Sequence, residues 1–286
     1  MISIVVPAHN ESAVIARTLR PWVEGPGSED ISVVVVCNGC TDDTAGVARR
    51  FGSPVRVIES EIASKTHALN LGDQNSDSFP RIYIDADILI SLDAIRALAR
   101  RLERGDVLAV APTPEIDLSG CSWMVRQYFS VRSRLPSAGQ GIGGSGVYAL
   151  SEAGRRRFTQ FPDVIADDTY VRIQFKPEER ETLTSVKSTV FPARTIRQLI
   201  AVRSRAHAGT FELARRFPEL SANKGKTNNR TLIGLLKDPR LWPGLAIYFG
   251  VNILARWRAA ARSRAKAPRW QRDDTSRSAL SPHSPS

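Results

Sequence analysis

The segment Ile31-Ser-Val-Val-Val-Val-Cys37 constrains this chain more than any other. A run of seven that is almost wholly apolar and mostly β-branched fits a strand covered on both faces. Such strands belong to parallel sheets held between two layers of helices. Its neighbours agree. Strand-like runs at 2–7, 55–59, 81–85 and 107–112 alternate with helix-like stretches at 13–22, 41–51, 64–72 and 91–104. That βαβα order predicts an α/β fold, a mostly parallel nucleotide-binding type of sheet flanked by helices. Beyond residue 120 the pattern predicts a helix near 121–134, a short strand at 147–150, a helix from an acidic turn at 166–168 to about 175, a strand at 182–191 and a basic helix at 195–216. No internal repeat interrupts it.

Charge divides the chain. Residues 1–193 hold 21 Lys and Arg against 24 acids, whereas residues 194–272 hold 18 against three, a net of +15. We therefore expect a slightly acidic domain over 1–193, a basic helical C-terminal region over 194–272, and a Ser/Pro-rich, disordered tail over 273–286. An apolar fraction of 42% excludes a largely disordered chain. Three cysteines exclude a disulfide-framed secreted one. No basic n-region and long apolar stretch open the chain, so it reads as cytoplasmic. Residues 241–255 carry no charge but include Pro243 and Gly244, and arginines follow at 256, 258, 262 and 264. The run is short for a membrane span. Its tryptophans and arginines suit peripheral contact with the inner membrane face through 241–264; packing on the domain is the alternative.

Several polar clusters fall at predicted strand ends. Asp85-Ala86-Asp87 closes Arg81-Ile-Tyr-Ile-Asp85, and residues two apart on a strand share a face. Two converging carboxylates suit a hard cation, Mg²⁺ or Mn²⁺, that binds a substrate phosphate; a solvated strand end with Asp87 capping the next helix is the plain alternative. Val6-Pro-Ala-His-Asn-Glu11 closes the first strand and Cys37-Asn-Gly-Cys-Thr-Asp-Asp-Thr44 the second. In open α/β sheets ligands bind outside these carboxyl ends. Cys37 and Cys40 have redox spacing, but nothing else thioredoxin-like accompanies them, and two cysteines make no zinc site; small residues at a tight turn explain them better. Gly141-Ile-Gly-Gly-Ser-Gly146 fits G-x-G-x-x-G yet precedes a strand, so a dinucleotide site does not follow.

Taken in order, these motifs resemble those of the family 2 glycosyltransferases, which read P-A-Y-N-E, then D-D-G-S-T-D-x-T, then D-x-D. The likeness spans roughly residues 1–200. It implies an inverting, metal-dependent transfer of a sugar from a nucleotide-diphospho-sugar to a hydroxyl on a glycan, glycolipid or small molecule. Pro7, Ala8, His9, Asn10 and Glu11 would then line the nucleotide pocket. Asp85, Ala86 and Asp87 match the metal and diphosphate motif, with Asp87 the direct ligand. Lys65, in Ser64-Lys-Thr-His-Ala-Leu-Asn-Leu-Gly72, matches a basic position that meets the diphosphate. Gly144 and Ser145 match a loop facing sugar and acceptor. Asp167 and Asp168 match an E-D element whose second acid is the catalytic base, with Asp167 in place of the usual Glu. Arg203, Arg205 and His207 are further candidates for diphosphate and metal. The family's aspartate pair is replaced by Cys37-Asn38; the first of that pair commonly helps to recognise the base, so a simple uridine assignment does not follow, and Asn38 stays a candidate nucleotide-binding residue. The Q-x-x-R-W of processive relatives is lacking. A polyprenyl-phosphate acceptor, a non-catalytic family member and an anionic-surface or nucleic-acid binder are the rival readings, the last disfavoured because no aromatic-interleaved basic platform is present.

Overall fold

The computed structural model describes residues 1–25, 27–223 and 228–264. The Ser/Pro-rich tail expected to be disordered lies outside the described residues. The chain runs β1 (Ile2–Ala8), α1 (Ile15–Val23), β2 (Ile31–Asn38), α2 (Thr44–Arg49), β3 (Val55–Ser60), α3 (Lys65–Gln74), β4 (Arg81–Ile84) and α4 (Leu92–Glu103). It continues through β5 (Ala109–Ile116), α5 (Trp123–Arg132), β6 (Val147–Leu150), α6 (Glu152–Arg155), α7 (Asp167–Ile173), β7 (Arg180–Val190), α8 (Ile196–Arg216), α9 (Asn229–Leu235) and α10 (Trp242–Arg264). Seven strands form one sheet in the order β3-β2-β1-β4-β6-β5-β7, parallel except for β6, which runs against both neighbours.

The apolar run in β2 is buried on both faces, as its composition requires. Val33 and Val35 pack with Ile15, Leu19 and Trp22 of α1 and with Ile95 and Leu98 of α4. Val34 and Val36 point the other way, onto Ala68 of α3. Fully burying one such side chain stabilises the fold by about 1.5–3 kcal/mol. Helix α2 opens at Thr44, directly behind the Thr41-Asp42-Asp43 segment that reads as its cap, with Asp43 at the N-cap position. Thr41 and Asp42 donate their N–H groups to Asn10 Oδ1 at 2.6 and 3.2 Å, which holds them out of the helix. Pro243 and Gly244 fall in the first turn of α10, where proline is tolerated, so they do not break the helix. No helix among the described residues is long and apolar enough to cross a membrane.

A buried ionic knot joins α3, β4 and α6. Asp73 accepts from Arg81, from the Tyr83 hydroxyl at 2.6 Å and from Arg155 Nε at 2.7 Å. Arg155 also donates to the Phe158 carbonyl at 2.5 Å and lies over the Phe158 ring. Burial alone would raise the Asp73 carboxyl, but the bonds from Arg155, Tyr83 and Arg81 outweigh it and hold it below its ordinary range. Asp73→Ala leaves two buried guanidiniums without their carboxylate, and we expect a loss of about 3–5 kcal/mol in urea unfolding at neutral pH. Because the folded value lies below the unfolded one, this contribution is present above the ordinary carboxylate pKa. It disappears as pH falls through the folded value, so the gap between variant and parent should narrow in acid.

Candidate active site

Three chain segments converge at the carboxyl edge of the sheet. Ser64 caps α3 by accepting from the His67 N–H at 3.3 Å, which makes Lys65 the first helical residue. From there Lys65 Nζ reaches Asp85 Oδ1 at 2.7 Å and Asp167 Oδ2 at 3.1 Å. One ammonium thus ties the end of β4 to the start of α7, where Asp168 follows. Burial would lower the Lys65 ammonium; Asp167, Asp85 and Asp168 overcome it and raise it above its usual value. Asp167 shows the opposite balance: burial pushes it up to about 6 despite Lys65, with Asp168 and Asp85 adding to the rise. Asp168 Oδ1 accepts from the Thr169 N–H at 2.5 Å.

These groups line a cavity with Pro7, Leu69, Tyr83, Gly143, Gly146 and Tyr148. Gly146, at φ +65°, is needed there: a Cβ would stand 2.5 Å from Ile88 Cγ1 and 3.5 Å from Asp85 Oδ2. Its carbonyl accepts the Asp85 N–H at 2.9 Å, so the glycine loop also fixes the end of β4. Gly144 and Ser145 form the turn between the cavity-lining glycines. The Ser145 hydroxyl is buried and bonds the carbonyls of Gly141 and Val147, within its own loop. A larger open depression of about 770 Å³ lies at the amino ends of the strands, around Met1, Glu29 and Arg56; it has none of these acids and sits on the edge where such sheets do not bind ligands.

Helix α1 sets the aspartate motif from below. Thr18 donates to the Ala86 carbonyl at 2.7 Å, Arg17 to that of Asp87 at 3.3 Å, and the Trp22 indole to that of Ile90 at 2.8 Å. Arg17 is attracted by Asp87 and Asp117 and stacks on the Phe191 ring at 4.1 Å. The two preceding loops are locked together. Asn10, in the left-handed region at φ 54°, bonds Thr41 and Asp42, while the Glu11 N–H donates to Thr44 Oγ1 at 2.7 Å. His9 Nδ1 lies 2.6 Å from the Asn38 carbonyl. Asn38 is buried and its Nδ2 has no partner. Cys37 and Cys40 are free thiols, and Cys40 Sγ accepts from the Asn10 N–H at 3.4 Å and donates to the Ala8 carbonyl at 3.5 Å.

Arg203, Arg205 and His207 stand on α8, and the structure does not bring them into the cavity lining. His207 Nε2 is 3.4 Å from Asn252 Oδ1 of α10, and Arg203 lies among Arg132, His207 and Tyr248. Arg205 is exposed. Other residues escaped the sequence reading. Tyr148 stacks on Tyr83 at 4.9 Å between centroids, and its buried hydroxyl has no partner. Arg172, one turn after Asp168, bonds Gln140 Oε1 at 2.5 Å, and its charge is attracted by Asp168. An arginine four residues after an acid on a helix was the only signal available for it.

Three carboxylates against one ammonium leave the cavity net negative and rich in hard oxygen donors. No group of three or more His, Cys, Asp or Glu poised to hold a metal occurs among the described residues. Carboxylate oxygens of this kind are donors that suit a hard divalent cation.

The family model for Glycosyl transferase family 2 matches residues 3–158. A 4,4'-diaponeurosporenoate glycosyltransferase of Staphylococcus aureus is 28% identical over 107 residues, 36% of this chain; the chain spans 28% of that relative's length. A mannosyltransferase from Pyrobaculum calidifontis, solved with GDP-Man and Mn²⁺, superposes with a TM-score of 0.60 at 21% identity over 93% of this chain and 76% of its own. Glucosyl-3-phosphoglycerate synthase from Mycobacterium tuberculosis, solved with Mn²⁺, UDP-glucose and phosphoglyceric acid, gives 0.55 at 19% identity over 76% and 79%. The architecture is that of the glycosyltransferase-A type.

The ion pairs make a testable demand on stability. Lys65→Met strands the buried Asp167 and takes the partner from the half-exposed Asp85, and we expect about 3 kcal/mol of loss at pH 8 by chemical denaturation. A carboxyl raised in the folded state destabilises above that folded value and is relieved by protonation below it. Losing Lys65 raises Asp167 further, so the deficit should be smaller at pH 5 than at pH 8.

Proposed function

This chain belongs to glycosyl transferase family 2, and from that premise we propose that it moves a sugar from a nucleotide-diphospho-sugar to an acceptor hydroxyl with inversion. The observation that carries the reading is the Lys65 bridge, which gathers Asp85, Asp167 and Asp168 around one cavity at the ligand-binding edge of the sheet. The interlocked loops of Pro7–Glu11 and Asn38–Thr44 form the nucleoside pocket. Asn38 there presents a buried amide N–H without a protein partner, a donor suited to a carbonyl or ring nitrogen of the base. Asp87, with Asp85 beside it, would hold a divalent cation, Mn²⁺ or Mg²⁺. That ion supplies positive charge against the diphosphate as it departs.

Asp168 is the general base. Its carboxylate takes the proton from the acceptor hydroxyl as that oxygen attacks the anomeric carbon, and the nucleoside diphosphate leaves from the opposite face. Lys65 holds Asp167 ionised beside it and keeps α7 against β4, which fixes the direction in which Asp168 points. The Tyr148 hydroxyl, kept protonated by burial and by the acids around it, can donate to a sugar oxygen. Gly143 and Gly146 let the substrate approach the backbone closely.

Two measurements test it. In thermal shift with nucleoside diphosphates, one nucleotide should stabilise the protein in a Mn²⁺-dependent way, and Asp87→Ala should abolish the metal dependence. No shift with any nucleotide would favour a non-catalytic surface-binding role. Asp168→Asn should lower kcat by about 10²–10⁴-fold while nucleotide binding persists. Turnover unaffected by that change would point to an acceptor already anionic, such as a polyprenyl phosphate.

A further inference from the structure

Helix α10 has two unlike sides. Leu245, Val251 and Ala255 are buried, as is Leu241 just before the helix, and Tyr248 stacks on Tyr128 of α5 at 5.3 Å. Opposite them Trp242, Phe249, Ile253 and Trp257 are exposed, by 58, 40, 67 and 68%. At 100° per residue these four side chains fall within an arc of about 80°, so they form one row along the helix. Exposed Arg256 and Arg258 flank its C-terminal end, and α10 contains no acidic residue.

The row has a direction. Leu241 and Leu245 pack on Val131 near the end of α5, whereas Val251 packs on Cys121 and Val125 near its start. Helix α10 therefore runs antiparallel to α5, and Trp257 lies towards the start of α5. That start follows the carboxyl end of β5, which is parallel to β4 because β6 opposes both. Trp123, 61% exposed, stands at the same place. The apolar row thus reaches the sheet edge that carries Asp85 and Asp168.

We infer that this row and Trp123 lay the protein on an anionic lipid bilayer, and that the acceptor is carried by a lipid in that bilayer. Tryptophan and phenylalanine beside arginine, on a helix that cannot span, match the interfacial region of a membrane. The net +15 of residues 194–272 chooses an anionic surface over a neutral one. The acceptor part rests on the glycosyl-transfer reading above; the docking part does not.

Sedimentation with phosphatidylglycerol-containing vesicles should carry the protein down, with binding weakened by salt and much lower on pure phosphatidylcholine. The double variant Ile253→Glu, Trp257→Glu should reduce the bound fraction about tenfold or more. The same variant should keep the nucleotide-dependent thermal shift, which reports the fold and the donor site separately. With the donor that the nucleotide screen selects, sugar label should enter the organic phase when vesicles of lipid extracted from the source cells are present. Equal sedimentation of parent and variant, or none, would overturn the docking. A dimer in solution that the variant dissolves would give the surface to a second copy and likewise overturn it. Label that stays in water while soluble acceptors turn over would overturn the lipid acceptor alone.

Discussion

Lys65 does what no carboxylate in this site can do for itself. Asp85 and Asp167 come from distant parts of the chain, one from a strand end and one from a helix start, and both need to remain charged to be useful. Brought together without a cation they would repel, and burial would protonate at least one. The ammonium between them, at 2.7 and 3.1 Å, lets both stay close and still leaves the cavity negative. In the proposed reaction a net negative pocket would admit a divalent ion and, with it, a diphosphate. The position of α7, and so of Asp168, depends on the same contact.

The rest of the scaffold supplies rigidity around that pair. Asn70 exchanges hydrogen bonds with the backbone of Phe161, at 2.9 and 2.8 Å, and so fastens α3 to the segment that leads into α7. The Asp73 knot does the same one turn further along α3. On the other side, three side chains of α1 hold three carbonyls after β4. Each of these bonds fixes main chain, so the acids are aimed by their backbone and not by long, mobile side chains.

Much of this was legible in order of appearance. The β2 run demanded a doubly covered strand, and the polar clusters fell at strand ends because hydrophobic runs stop where chemistry begins. The strand at 147–150 was visible, but its reversed direction was not, since four apolar residues read alike either way. Contacts across the fold were invisible: nothing local says that Lys65 meets Asp167, or that Thr18 reaches Ala86. Tyr148 reads as an ordinary core aromatic. Helix α8 carries basic residues on several sides, so its sequence could not say whether His207 turns to the cavity or to Asn252. The aspartates of the D-x-D segment lie just past Ile84, where β4 has already ended in a turn, so the period of a strand does not place them, and only Asp85 of the two lines the cavity.

The reversal at β6 has a consequence for how such a protein can change. The strands up to β4 carry the Pro7–Glu11 and Asn38–Thr44 loops, and the later chain reaches this edge through Gly146, which holds Asp85, and Asp167, which meets Lys65. Because β6 starts at the ligand-binding edge and leaves it, everything that follows must return by a separate route, through the loop that Asn70 catches. The earlier and later parts of the chain thus meet through the β4–β6 pairing, the Lys65–Asp167 and Asp73–Arg155 ion pairs and the Asn70–Phe161 bonds. Drift in the later part that keeps those contacts can reshape its side of the cavity while the strands that carry the earlier loops stay as they are.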